Sequence, residues 1–169
     1  MNSFIHSYYW LARPQKAEVQ ILLVELSFDK IEFFLFGEKM PANKNTEKLA
    51  IQSLFDYIEN FNKKDKDKIL DCLHFPHVAQ SGQNDPKVYK NKEEIWSYLG
   101  FLLKKLETEE NWDHSTLDKV EVINSSEDVV HCNIEFNRRL KNNQSYAKAI
   151  GIFIATKKSG HWGLQMRMM

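Results

Sequence analysis

Val129-Val130-His131-Cys132-Asn133-Ile134-Glu135-Phe136 is the stretch on which the fold turns. Val130, Cys132, Ile134 and Phe136 fall on one face of an extended chain, and Val129, His131, Asn133 and Glu135 on the other, with Asn137 and Arg139 continuing the polar side. One face is therefore core, and the other meets water or a polar partner surface. Upstream, Val120 and Val122 repeat the period of two, and Asn124-Ser125-Ser126-Glu127-Asp128 supplies the turn between the two strands. Downstream, Tyr146 to Thr156 is apolar on both faces: Ile150, Ile152 and Ile154 against Ala147, Ala149 and Phe153. That pattern predicts a central strand covered on both sides, with a second subunit as a candidate for the outer cover. Ser159-Gly160 turns the chain into a last strand, where Trp162, Leu164 and Met166 share one face and Gln165 and Arg167 the other.

Further out, the period becomes helical. Thr46 with Glu47 marks a helix start, followed by Leu49, Ala50, Ile51, Leu54, Phe55, Ile58 and Phe61 as one apolar stripe. Asn62-Lys63-Lys64 ends it, and Asp65 caps a short second helix carrying Ile69, Leu70 and Leu73. Pro76 lacks a backbone N–H, so Phe75-Pro76-His77-Val78-Ala79 reads as an edge strand or an extended entry segment, with a loop through Ser81 to Pro86. Asn91 and Glu94 form a capping-box-like start, after which Ile95, Tyr98, Leu99, Leu102 and Leu106 recur at helical spacing. Helices precede sheet. The expectation is an α+β domain, a cone with about three N-terminal helices packed on a curved antiparallel β-sheet and a pocket at its open end.

Lys plus Arg and Asp plus Glu number 23 each in 169 residues, so no global field draws the chain to nucleic acid or to an anionic membrane, and neither partner is expected. The two cysteines, Cys72 and Cys132, lack both a disulfide framework and metal-ligand spacing, which fits a reducing compartment; a cytoplasmic protein is expected. The apolar runs Ile21 to Leu26 and Phe33 to Phe36 are too short to span a bilayer, and the polar, aromatic start Asn2 to Trp10 does not resemble a signal peptide. Met40-Pro41 opens a polar stretch before the first helix, so residues 1–39 are expected to be a weakly structured extension or a start-site artefact, and residues 40–169 the domain.

His77 and His114 lie near the proposed pocket mouth and titrate near neutral pH, which makes them candidates for acid and base, against the plainer role of bonding a backbone carbonyl or facing solvent. His74 and His77 have His-x-x-His spacing, yet residues three apart on a strand point to opposite faces; no metal site and no cofactor are expected. Cys72 and Cys132 read as small buried hydrophobes. Phe75 and Trp112 are candidate pocket walls, and Gln165 and Arg167 can hold an anionic group or form a rim salt bridge.

From Thr46 onward this order of elements resembles the nuclear transport factor 2-like superfamily, with its SnoaL-like and ketosteroid-isomerase-like members. Asn60-Phe61-Asn62, Leu73-His74-Phe75-Pro76-His77-Val78, Trp112-Asp113-His114-Ser115 and Gly160-His161-Trp162-Gly163-Leu164-Gln165-Met166-Arg167 are similar to a bacterial subgroup with no assigned reaction. The resemblance implies a cone with a buried pocket and a homodimer through the outer sheet face. It also implies that Tyr57 occupies the position of the isomerases' oxyanion-binding tyrosine, while the position of their general-base carboxylate falls on Ser81, which has no useful basicity. The Asp-Arg-Asp set of the epoxide-hydrolase members has no counterpart. The dehydratase members use histidines, matched here in residue type by His77 and His114. The favoured expectation is a domain binding a small apolar or weakly anionic metabolite. The alternatives are a lyase or isomerase working through His77, His114 and Tyr57, and a non-catalytic homodimeric protein-interaction module.

Overall fold

The computed structural model describes residues 43–169, and the extension expected over residues 1–39 lies outside them. Helix α1 spans Lys44–Lys63. It begins two residues before the expected Thr46 because the Asn43 side chain caps it, accepting from Asn45 N–H at 3.0 Å. Lys64 takes a left-handed conformation and ends the helix, and Asp65 caps α2, Lys66–Asp71, by accepting from Lys68 N–H. Strands β1, Leu73–Gln80, and β2, Lys87–Tyr89, precede α3, Lys92–Glu109. At the start of α3 the Asn91 side chain accepts from Glu94 N–H at 2.9 Å, and the Glu94 carboxylate accepts from Lys90 N–H at 2.7 Å. The capping pair expected from the sequence is therefore present, reaching one residue further back than the standard box. Strands β3, His114–Ser125, β4, Val129–Arg139, β5, Ser145–Lys158, and β6, His161–Met168, complete the chain.

The helices pack against one six-stranded sheet of order β2-β1-β6-β5-β4-β3. Strands β3 to β6 form an antiparallel meander, as their period of two and short turns predict. The pairing of β1 with β6 is parallel, so the sheet is mixed. Strand β1 is also interior, between β2 and β6, where Pro76 had pointed to an edge. The physical reason lies in the register. Pairing with β6 is irregular between Leu73 and Val78, and β2 pairs only with His77 to Ala79, so Pro76 sits where neither neighbour asks for its missing N–H.

Helix α1 crosses the inner face of β3 to β6 and buries Ala50, Leu54, Tyr57, Ile58 and Phe61 there. Val130, Cys132 and Ile134 of β4, Phe153 and Ala155 of β5, and Leu164 of β6 meet them, which makes the inner faces of the strands the core. Of the residues on the other face of β5, Ile150 is 73% exposed.

Candidate functional site

Between the inner sheet face, α1 and α3 lies a cavity of about 410 Å³. Its apolar walls combine aromatic side chains, Tyr57 and Phe61 from α1, Tyr89 from β2, Tyr98 from α3, Phe136 from β4 and Phe153 from β5, with aliphatic Ile58, Leu102 and Leu106. Alternation places these side chains inward on their strands, and the helical stripe does the same for α1 and α3. Polar groups at the wall are Arg167 and Arg138, together with Gln80, Ser81, Asn84, Asp85 and Lys87 from the end of β1, the following loop and β2.

Arg167 is the most unusual of them. It is paired across β6 with Phe153 on one side and Ala79 on the other, both of which line the cavity. The register irregularity between Ile154 and Ala155 puts it on the inner face with Leu164, where strict alternation had placed the two on opposite faces, and it is 6% exposed. Its Nη1 donates to Tyr57 Oη at 3.0 Å, and its guanidinium lies 5.9 Å from the Tyr57 ring and 5.8 Å from the Tyr98 ring. Both distances suit cation–π attraction. Tyr98 in turn stacks on Tyr89 at 5.9 Å. Burial raises the Tyr57 phenol above its ordinary pKa, and the Arg167 charge opposes that rise, so Tyr57 stays a neutral phenol whose proton is free for another acceptor. Arg138 differs, because its Nη1 pairs with Glu110 Oε2 at 3.1 Å, and Glu110 also accepts from Tyr146 at 3.0 Å. Burial and the Glu110 carboxylate push Tyr146 up to about 12.

Of the residues expected at the site, Tyr57 and Arg167 line the cavity, whereas His77, His114, Phe75, Trp112 and Gln165 do not. His77 is 0% exposed, on the inward face of β1, with Nδ1 3.1 Å from the carbonyl oxygen of Leu164. A carbonyl only accepts, so Nδ1 carries the proton and Nε2 is a bare lone pair, with no partner among the described residues. Burial first, and the Arg167 charge second, lower its pKa to about 3, too low for an effective base at neutral pH. His114 stands at the start of β3, partly exposed, with Nδ1 2.8 Å from Asp113 Oδ2.

Several sequence motifs turn out to be clips between elements. Asn62 donates to Ser115 O at 2.9 Å and accepts from Ser115 N–H at 2.8 Å, while Trp112 Nε1 donates to Ser115 Oγ at 3.0 Å. Phe61 meets the Trp112 ring edge-on at 5.8 Å. Trp112 thus locks the end of α1 to β3 rather than forming a pocket wall. Gln165 donates to the carbonyl of Pro76 and accepts from Thr156, and Phe75 offers its carbonyl to Lys158, so both serve the junction of β1, β5 and β6. His74 bonds Thr156 Oγ1 at 2.8 Å, and its pKa is lowered to about 4, chiefly by burial. Burial pushes the Cys132 thiol up to about 11, which suits the small buried hydrophobe expected there. Among the described residues no cluster of three or more potential ligands could hold a metal ion.

No family model matches the chain, and no curated protein does. Solved structures do. A protein of unknown function with a cystatin-like fold from Nostoc punctiforme superposes with a TM-score of 0.62 at 14% identity, covering 76% of this chain and 92% of the other. An NTF2-like protein of unknown function from Pseudomonas putida reaches 0.60 at 11% identity, covering 75% and 87%. This chain has the NTF2-like, or cystatin-like, fold. A candidate dehydratase of the NTF2-like family from Streptomyces avermitilis superposes with a TM-score of 0.53 at 9% identity, covering 75% and 96%. At these identities the NTF2-like fold is what the three share with this chain. Among the described residues no helix is long and apolar enough to cross a membrane.

Proposed function

We propose that this NTF2-like domain binds a small apolar or weakly anionic metabolite in the cavity of its cone. The observation that carries the reading is Arg167, a buried cation set in the wall of a cavity of about 410 Å³ whose other lining is mainly aromatic and aliphatic, with polar groups from the loop after β1. That volume lies within the range of roughly 300–1,000 Å³ common for small-molecule sites, which likewise combine apolar walls with a few polar groups. The geometry favours binding over acid–base catalysis, because His77 is held neutral with a depressed pKa and His114 lies away from the cavity. Tyr57 remains a hydrogen-bond donor for a ligand oxygen in either case. Exposed Ile150 and Met168, with half-buried Ile152 and Ile154 on the same outer face of β5 and β6, support a homodimer through that face, and the free cysteines Cys72 and Cys132 fit a cytoplasmic setting.

The test is a thermal-shift screen of the full chain against small ketones, hydroxy acids, sterols and aromatic acids. A ligand that binds only the folded state stabilises it by about 2.7 kcal/mol at a hundredfold excess over its dissociation constant. A hit that shifts the melting temperature bears the reading out. Silence across the panel would overturn it in favour of a protein-interaction module.

A further inference from the structure

We propose that the ligand of the cavity is an aromatic monocarboxylate, anchored by its carboxylate on Arg167 and by its ring against the tyrosine and phenylalanine walls. This narrows the binding reading above to one chemical class, and it rests on that reading.

The argument starts from the unmet bonding capacity of one side chain. A guanidinium is always charged in a protein and only donates. Arg167 spends Nη1 on Tyr57, while Nε and Nη2, both buried, have no partner among the described residues. No carboxylate among those residues forms an ion pair with it either. A buried cation without a counter-charge is unfavourable, and the Tyr57 and Tyr98 rings offset only part of that cost. Nε and Nη2 form one edge of the planar fork, the edge that takes the two oxygens of a carboxylate side-on.

The number of anionic groups follows from the other charges on the wall. Arg138 already has its counter-charge in Glu110, and Lys87 is exposed to solvent at the loop that also carries Asp85, so the one buried guanidinium without a counter-charge matches a single ligand carboxylate. A second ligand anion would meet Asp85, which lines the same cavity. The body of the ligand follows from the walls. Tyr57, Phe61, Tyr98, Phe136 and Phe153 line the cavity beside Ile58, Leu102 and Leu106, and aromatic side chains favour offset or edge-on packing of another ring.

Isothermal titration of the full chain with naphthoate, with its neutral amide naphthamide, and with octanoate tests the class. The expected result is that naphthoate binds at least about tenfold more tightly than either of the others. In Arg167→Gln, naphthoate affinity falls by about tenfold to a hundredfold and the preference over naphthamide disappears. Because the acid and amide are compared on the unaltered chain, the proposal remains falsifiable even if the variant fails to fold. Equal binding of naphthoate and naphthamide would overturn the anionic class while leaving the cavity a binding site. Equal binding of naphthoate and octanoate would overturn the aromatic part. Undiminished naphthoate binding by a folded Arg167→Gln would remove Arg167 from the site. No binding of any of these, together with silence in the broader screen, would overturn the binding reading itself.

Discussion

Arg167 Nη1 donates to Tyr57 Oη across 3.0 Å and so joins β6 to α1 over 110 residues of sequence. The bond fixes the guanidinium in the cavity wall and leaves the phenol proton free for another acceptor. Tyr57→Phe removes the acceptor and leaves the third nitrogen of a buried guanidinium without a partner. We expect a loss of about 1–3 kcal/mol in urea denaturation. An unchanged midpoint would mean that the bond contributes nothing to the fold.

Arg167→Met separates stability from binding. Replacing a buried, incompletely paired charge by an apolar side chain of similar length is often neutral or stabilising, so the variant should unfold within about 1 kcal/mol of the parent, or later. Its affinity for an anionic ligand should be lost. A destabilisation of several kcal/mol would assign Arg167 to the architecture instead.

Acid should destabilise the domain through its buried imidazoles. The pKa values of about 3 for His77 and about 4 for His74 lie below the ordinary 6.5, burial being the first cause of each. Between those values and 6.5 the unfolded chain binds more protons than the folded one. The stability contributed by the neutral rings is therefore present above 6.5 and is lost as pH falls through the window. Each group adds a slope of up to about 1.4 kcal/mol per pH unit. Denaturation midpoints taken from about pH 7 to about pH 5 measure it, and His77→Gln should flatten the curve. A pH-independent parent would contradict the assignment.

Gly151→Ala probes the contact between β5 and the end of β6. A Cβ there would stand 1.9 Å from the carbonyl oxygen of Met168, a backbone atom that cannot rotate away. The strands would have to part, at a cost of about 1–3 kcal/mol or more, visible as an earlier thermal transition. An unaltered melting curve would show that the strand ends yield freely.

Ile150→Asp tests the outer face. Ile150 is 73% exposed, so the substitution should leave the domain's own stability within about 0.5 kcal/mol while converting a dimer to a monomer in sedimentation velocity. A parent chain that already sediments as a monomer would refute the dimer.

Much of the fold is legible without coordinates because its signals are local. The alternation in Val129 to Phe136, the Asp65 and Asn91 caps, and the stripe of α3 each occupy a few neighbouring residues and are found where they were expected. The stripe of α1 keeps Ala50, Leu54, Ile58 and Phe61 but leaves Leu49 and Phe55 exposed and buries Tyr57. What escaped was relational. Pro76 argued for an edge strand, but register irregularity beside it let β1 lie inside the sheet. The segment Lys87-Val88-Tyr89 is too short to show a period, yet it is β2 and brings Tyr89 to the cavity. Tyr98 reads in the sequence only as part of a helical stripe, with no sign that its ring would face a guanidinium.

The candidate site divides the same way. His77, His114, Phe75, Trp112 and Gln165 were singled out by residue type, and type does not say which way a side chain faces or what it already bonds. The structure ties Trp112 to Ser115, Gln165 to Pro76 and His77 to Leu164. Arg167 and Tyr57 remained in the cavity because each faces inward on an element that borders it.

By itself the sequence determined an α+β cone of amphipathic helices on a sheet, because periodicity and capping depend on residues a few positions apart. Tertiary structure alone decided that β6 runs between β1 and β5, and that Arg167 ends in an aromatic cavity with two nitrogens unmatched. Both depend on which distant segments pair and in what register, and a shift of one residue would have turned Arg167 out of the cavity.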